Sequence, residues 1–488
     1  MVEFIGVEKE TTGKLKAVAS GALASGKPVV VNSDGTVSVV EASAPSANTP
    51  LAVTDTAGNA TSIVYDPDNQ KVIMAWYDAG NSDYGTAVVG TVSGNSITFG
   101  SEVVFESADT DQLAMVYDPN SDKVVIAYRD NGNSAYGTAI VGTVSGNSIS
   151  FGTPTVFNSG TTTRLSQEGI CFDSTNNKIV IVYMDLTNNQ YATAVVGTVS
   201  GTSISFGSEV VFQNNTPQGL SASYDSLNQK VVVIMGRSEG GINRTSARLG
   251  TVSGTSISFG GTETVISQRG SAITSQYIGS GKTVVAFNDH SDSEKGKVAV
   301  LSVDGSTMSW GTVVTFDEGD VVAESLSSCV SPSGEVTIVY EDEDTDNSHH
   351  GKFVVVTVDG TTPSFTDPVT FESAYTEKPS AAYDINAGKA VVVYQDQGNS
   401  SFVTACVLNA DVYNLTAENF IGISSGGAVA DTDAATVDII GTVNSEQTGL
   451  TAGQKYYVQN DGTLSTTAGN PSVLAGTAIS ATKLVVKT

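Results

Sequence analysis

Cysteine, histidine and positive charge are all scarce in this chain of 488 residues, which carries three Cys, three His and 23 Lys+Arg against 51 Asp+Glu, a formal net charge of −28. The three cysteines, Cys171, Cys329 and Cys406, are an odd number lying in or beside strand-like segments. A disulfide framework needs even counts in a small fold, so they read as buried free thiols. No spaced Cys and His pairs are available for a structural zinc site, and no metal or cofactor is expected. A chain this acidic, with no basic stripe, repels a phosphate backbone or an anionic bilayer, which excludes nucleic acid as a partner. Long apolar runs are missing too. Val72 to Trp76 and Ala390 to Tyr394 are strand-sized, far below the ~20 residues of a membrane helix, so no membrane insertion is expected and the chain reads as soluble. Met1 to Glu10 mixes charged and apolar residues, and no export signal is read from it. There is no GxSxG nucleophile elbow, and no glycine-rich phosphate loop opens a helix.

What is abundant is glycine, at 50 residues, together with Val, Thr, Ser, Asn and Tyr. That composition favours short strands joined by polar turns, and the fold class expected is all-β. One segment recurs seven times without gaps: VIMAWYD ending at Asp78, VVIAYRD at Asp130, IVIVYMD at Asp185, VVVIMGR at Arg237, TVVAFND at Asp289, VTIVYED at Asp342 and AVVVYQD at Asp396. The last positions are 52, 55, 52, 52, 53 and 54 residues apart. Each unit shows four strand signals. A first strand ends in an aromatic and a turn such as Tyr65-Asp66-Pro67-Asp68-Asn69, and the third strand leads into a Ser-Gly-Asn or Asp-Gly hairpin, as in GTVSGNSITF from Gly90. Four strands at a period near fifty, seven times over, predict a seven-bladed β-propeller, with an open β-solenoid as the competitor.

Ring closure makes its own prediction. The seventh unit breaks off after Cys406-Val407-Leu408-Asn409, while Leu51-Ala52-Val53 stands twelve residues before Tyr65, as Val103-Val104-Phe105 stands before Tyr117. Roughly Thr49 to Thr54 is therefore expected to complete blade seven and remove its exposed edge. The two ends are related to each other. Leu23 to Ser38 (LASGKPVVVNSDGTVS) aligns without gaps with Leu450 to Ser465 (LTAGQKYYVQNDGTLS), and Phe4-Ile5-Gly6 echoes Phe420-Ile421-Gly422. The domains expected are an N-terminal β module over 1–45, the propeller over 46–412 and a related C-terminal β module over 413–488. The end modules either pair into one composite domain or dock separately on a neighbour.

The run from Asn419 to Thr488, with NFIGI, GLTAGQKYYVQNDGTLS and VLAGTAISATKLVVK, resembles small β modules of tail-fibre and other virion-surface proteins of tailed bacteriophages. The resemblance implies a virion part. The repeat array resembles degenerate sialidase-type, or BNR, propeller repeats, whose Asp-box Ser-x-Asp-x-Gly-x-Thr-Trp lies between strands three and four. Asp304 and Asp359 keep the acid of that box, and Ser93, Ser145, Ser200 and Ser253 replace it. The box is structural in that family.

Three sets of residues are candidates for chemistry. Asp78, Asp130, Asp185, Asp289, Asp342 and Asp396 end strand two in six units; recurrence favours each bonding its own turn over a ring of cation ligands. The loop from Tyr340 to Asn347 spaces carboxylates two apart, but it lacks the glycine and terminal glutamate of a calcium loop, so it reads as solvated acid. Arginine is rarer and more informative. Arg129, Arg164, Arg237, Arg244 and Arg269 fall at strand-two ends or in loops of one propeller face, and Arg248 alone is expected inside a strand. Guanidinium forks bind carboxylate or sulfate, so these five are the ligand-binding candidates, directed at an acidic glycan. A sialidase-like hydrolase needs a nucleophile and an acid as well. Glu168, Tyr191 and Glu239 lie in nearby loops, yet no motif assigns them, and no catalytic residue is expected.

The function expected is therefore that of a non-enzymatic virion surface protein, made in the host cytoplasm. Its propeller binds a host cell-surface glycan or protein, and its terminal modules hold other virion structural proteins, with homo-oligomers allowed. Alternatives are a capsid decoration or tail structural subunit that contacts virion proteins alone, and a glycan-degrading hydrolase on the same scaffold.

Overall fold

The computed structural model describes residues 8–9, 13–32, 34–41, 44–165, 167–239, 241–343, 348–410, 413–415, 418–469 and 472–487. Among them there is no α-helix; strands joined by tight turns and four single-turn 3-10 segments account for the regular structure. The chain divides into two compact units, Pro45–Ala410 and the pair of ends Met1–Ala44 with Asp411–Thr488.

Within Pro45–Ala410 every repeat is an antiparallel sheet. In repeat 1 the second strand Lys71–Asp78 pairs with Leu51–Asp66 on one side (Val64↔Ile73) and with Tyr84–Ser93 on the other (Ala75↔Ala87). Val72 through Trp76 are wholly buried, which explains why this segment reads as an unbroken apolar run: the strand is covered on both faces. The fourth position is filled by two segments. Ser96–Phe99 and the first part of Val103–Asp118 both pair with Tyr84–Ser93. The two-residue hairpin Gly94-Asn95 closes between Ser93 and Ser96 with Gly94 at φ +60, the left-handed value that glycine adopts without penalty. Gly100 serves a different purpose: a Cβ there would stand 1.8 Å from the carbonyl oxygen of Asn147 in repeat 2, so its bareness lets adjacent repeats touch backbone to backbone.

Val103–Asp118 is long because it belongs to two sheets. Its first half is the outer strand of repeat 1, and its second half pairs with Lys123–Asp130 as the first strand of repeat 2. Leu51–Asp66 does the same across the ends of the array. Phe402–Asn409 of repeat 7 pairs with it through Ala405↔Leu51, Thr404↔Ala52 and Phe402↔Ala57, and Ser46–Ala47 adds Leu408↔Ala47. The first strands of the repeats neighbour one another in cyclic order, from Leu51–Asp66 round to Thr376–Asp384 and back. Cores lie between successive sheets: Trp76 and Met74 of repeat 1 pack with Val391 and Val393 of repeat 7, and Ile73 and Val89 with Ile126 and Tyr128 of repeat 2.

The other unit interleaves both chain ends. Lys14–Val18 pairs with Ala434–Asp438 (Lys16↔Thr436), and Pro28–Val31 with Phe420–Ser425 (Val29↔Gly422), so one sheet alternates strands from residues about 400 apart in sequence. A second sheet is built from Lys455–Val458, Val473–Ser480 and Lys483–Val486 with two short strands. The similar wording at the two ends corresponds to similar hairpins. Thr36 N–H donates to Asp34 Oδ1 and Thr463 N–H to Asp461 Oδ1, both at 2.9 Å, beside Gly35 (φ +83) and Gly462 (φ +73). Both carboxyls are held below the ordinary range by these threonines. Phe4-Ile5-Gly6 lies outside the described residues.

Candidate functional site

The first strand of most repeats carries a bulge near its start. Pairing skips between Asn59 and Ser62, Asp111 and Ala114, Gly270 and Ile273, Val321 and Leu326, and Glu377 and Ser380. These bulges surround one cavity of about 540 Å3, to which all seven repeats contribute. Its rim is polar, with Asn59, Gln112, Arg164, Gln218, Glu324 and Lys378, and its wall is apolar, with Leu113, Leu165, Met184, Leu220, Ile273 and Leu326 among others. Four rim residues adopt left-handed backbone: Gln112 (φ +51), Arg164 (φ +55), Glu324 (φ +63) and Lys378 (φ +50). Long side chains in that conformation cost about 1 kcal/mol or more each, and such strain concentrates where function requires a side chain to be aimed.

Two lining groups from repeat 3 tie it to other repeats. The 3-10 turn Gln167–Gly169 accounts for the longest of the six repeat intervals, and it projects side chains across the ring. Gln167 bonds the Ser62 hydroxyl and donates to the Ile63 carbonyl of repeat 1 at 3.0 Å. Glu168 reaches the opposite side, accepting from Thr274 Oγ1 of repeat 5 and Ser327 Oγ of repeat 6, each at 2.7 Å. Burial pushes its carboxyl up to about 7, against the pull of those two hydroxyls and the backbone N–H groups of Ser328 and Ser275.

The charges at the rim are engaged with one another. Glu324 bonds Arg164 through one oxygen and accepts from Lys378 Nζ at 2.9 Å through the other. Burial acts to raise the Glu324 carboxyl, and the two cations outweigh it and hold it below the ordinary range. Asp111 pairs with Arg129 Nε at 3.0 Å; burial is the larger effect there and raises its pKa. No cluster of three or more His, Cys, Asp and Glu suited to a metal ion occurs among the described residues.

Of the five arginines singled out from sequence, Arg164 alone borders the cavity. Arg129 stands behind it, on Asp111 and on Asn131 Oδ1 at 2.8 Å. Arg237 is buried and directly opposite Arg244 in register; Arg244, expected in a loop, lies in strand Ile242–Ser253 together with Arg248, because the hairpin of repeat 4 is extended at this end. Arg269 precedes strand Gly270–Gly279, and its carbonyl accepts from His290 N–H. The strand-two aspartates brace turns: Asp130, Asp185, Asp289 and Asp396 accept from the backbone N–H of Asn133, Thr187, Ser291 and Asn399. Asp78 accepts from the Thr56 hydroxyl, and Asp342 bonds Lys352. Tyr191 begins the third strand of repeat 3, away from the cavity. The Glu239 side chain and residues 344–347 of the acidic loop lie outside the described residues. Sequence reasoning passed over Gln112, Gln218, Glu324 and Lys378. A signal existed: Gln112, Glu324 and Lys378 each stand 18 residues before the recurring aspartate of strand two, Asp130, Asp342 and Asp396.

No known protein family matches the chain, and no curated protein sequence does. Solved structures similar to it include a protein of unknown function from Dyadobacter fermentans (11% identity, TM-score 0.44, 76% of this chain and 98% of that one). A mutant of AofleA from Arthrobotrys oligospora is similar at 10% identity and TM-score 0.39, over 84% of this chain and 96% of that one. A third is the Hadza microbial sialidase Hz136, at 8% identity and TM-score 0.42, over 76% of this chain and 68% of that one. Likeness at this level leaves the reading of the cavity to its own residues.

Proposed function

We propose that Pro45–Ala410 is a closed seven-bladed β-propeller and that its central cavity binds a host-surface glycan. On this reading the chain is a non-enzymatic surface protein of a tailed-phage virion, attached to other virion proteins by the unit formed from its two ends. The observation that carries the binding role is the rim: seven repeats share one scaffold yet present different amides, hydroxyls and charges to one cavity over an apolar wall. Sugars offer hydroxyls and apolar ring faces together, and such a lining matches both. Among the described residues the lining carboxylates are Asp111, bonded to Arg129, Glu168, bonded to two hydroxyls, and Glu324, bonded to two cations. A hydrolase would have to draw its acid from Glu168, whose carboxyl burial raises to about 7, and sugar release in the test below decides between the two readings. The wording of Asn419 to Thr488 supports placement on a virion, where many copies would multiply a weak single-site affinity. The test is binding of the labelled full chain to a panel of bacterial strains and their purified surface polysaccharides, beside Gln218→Ala. Saturable binding weakened by the substitution, with no sugar released, is expected. Binding to purified particles but to no cell would replace this reading with that of a structural subunit, and sugar release would replace it with a hydrolase.

A further inference from the structure

Glu324 is a carboxylate placed where a ligand's carboxylate would otherwise sit. It comes from repeat 6, 160 residues from Arg164 of repeat 3 and 54 from Lys378 of repeat 7, and it engages both with separate oxygens. All three residues adopt left-handed backbone, so the chain accepts strain in three places to bring this bridge to the rim. Its side chain is half exposed, within reach of a ligand entering the cavity. An incoming anion must displace Glu324 from its cations and then share the cavity with it, at a distance where like charges repel strongly in partly desolvated surroundings. An uncharged sugar meets no such barrier and finds amides and hydroxyls free of net charge.

We infer that Glu324 sets the selectivity of the cavity: by occupying Arg164 and Lys378 it reserves the site for uncharged, polyhydroxylated ligands, and its neutralisation turns the same rim into a carboxylate site. This deepens the glycan-binding reading and rests on it for the identity of the natural ligand. The test does not, because it uses glucose and glucuronate, which differ only at C6. Full-length wild type, Glu324→Gln and the double variant Glu324→Gln/Arg164→Met are titrated with each sugar by ligand-observed NMR. Glutamine keeps the shape, and Gln112 already adopts this backbone conformation in the corresponding bulge of repeat 2, so the variant is expected to fold; its melting curve verifies that. Glu324→Gln should bind glucuronate at least about tenfold more tightly than wild type, the worth of a freed charge-assisted hydrogen bond, with glucose changed less than about twofold on the same scale. The double variant should lose the gain. Equal glucuronate affinity in wild type and Glu324→Gln, no glucuronate binding by Glu324→Gln, or a gain that survives Arg164→Met would each overturn the inference. Failure of wild type to bind any surface polysaccharide counts against the glycan reading, while the glucuronate comparison still decides the role of Glu324.

Discussion

The two ends of each repeat obey different rules. At the outer end, the hairpins of repeats 1 to 4 read GTVSGNSITF, GTVSGNSISF and twice GTVSGTSISF, and in repeats 1 to 3 a Cβ on the glycine that follows the aromatic would stand 1.8 Å from a carbonyl oxygen of the next repeat. At the inner end no two neighbours agree: Asn59, Gln112, Arg164, Gln218, Ser271, Glu324 and Lys378 succeed one another round the cavity. Uniformity at the outer end follows from packing, since each repeat must fit the next in the same way. Diversity at the inner end answers to no such repeated contact; left-handed backbone is common to both ends, at Gln112, Arg164, Glu324 and Lys378 here and at Gln70, Asp122, Asn177 and Gln229 in the shared turns. Structure is held by what the repeats share, and the proposed binding role rests on what they do not.

That division can be broken by experiment, and the largest effect belongs to the shared part. Trp76 is fully buried between repeats 7 and 1, and Trp76→Ala is expected to cost about 3–5 kcal/mol in denaturant unfolding; a loss below about 1 kcal/mol would show that the inter-sheet core is not what holds the unit. Glu168 is the next test, because it belongs to the cavity yet ties repeats together. Its folded pKa lies above its unfolded one, so the folded state holds the proton more tightly. Its contribution is fully present below about pH 4.5 and is lost as pH rises through about 7, a change on the order of 3 kcal/mol. Glu168→Gln should remove this slope, and comparing the unfolding midpoints of the two proteins at pH 4.5 and pH 8 isolates it from other groups. Parallel pH curves for variant and parent would mean that Glu168 does not titrate on folding.

Smaller effects sharpen the contrast. Gly100→Ala drives a Cβ into the Asn147 carbonyl and is expected to cost about 1–3 kcal/mol while leaving ligand affinity intact, as judged by melting curves beside polysaccharide binding. Arg164→Gly relieves left-handed strain and gives up an exposed ion pair, so stability should move by less than about 1 kcal/mol. Its polysaccharide binding should nevertheless fall. If binding survived and stability dropped, the rim would be scaffold after all.

Much of the scaffold could be read from local pattern. The unbroken apolar run from Val72 to Trp76 corresponds to a strand covered on both faces, and the twelve-residue step from Val53 to Tyr65 corresponds to a strand that leaves one sheet and enters another. The cavity was less legible. The arginines drew attention by rarity, but Arg237 is buried opposite Arg244 and Arg129 is held by Asp111 and Asn131. Rarity marks a residue and does not say where a bulge will aim it. Glu324 and Lys378, ordinary charges in an acidic chain, gained their meaning from the bulges that turn them toward Arg164.

What the amino-acid order determined by itself is the repeat: strand length, turn position and the alternation that chooses a buried face all depend on residues within one unit and reach no further than its own hairpins. The missing strand of the seventh unit already pointed to the pairing of Leu51–Asp66 with Phe402–Asn409; tertiary structure alone decided the interleaving of Lys14–Val18 with Ala434–Asp438 and the bridge from Arg164 through Glu324 to Lys378. Each joins residues tens to hundreds of positions apart, and no local preference can express a contact that exists only once distant parts of the chain meet.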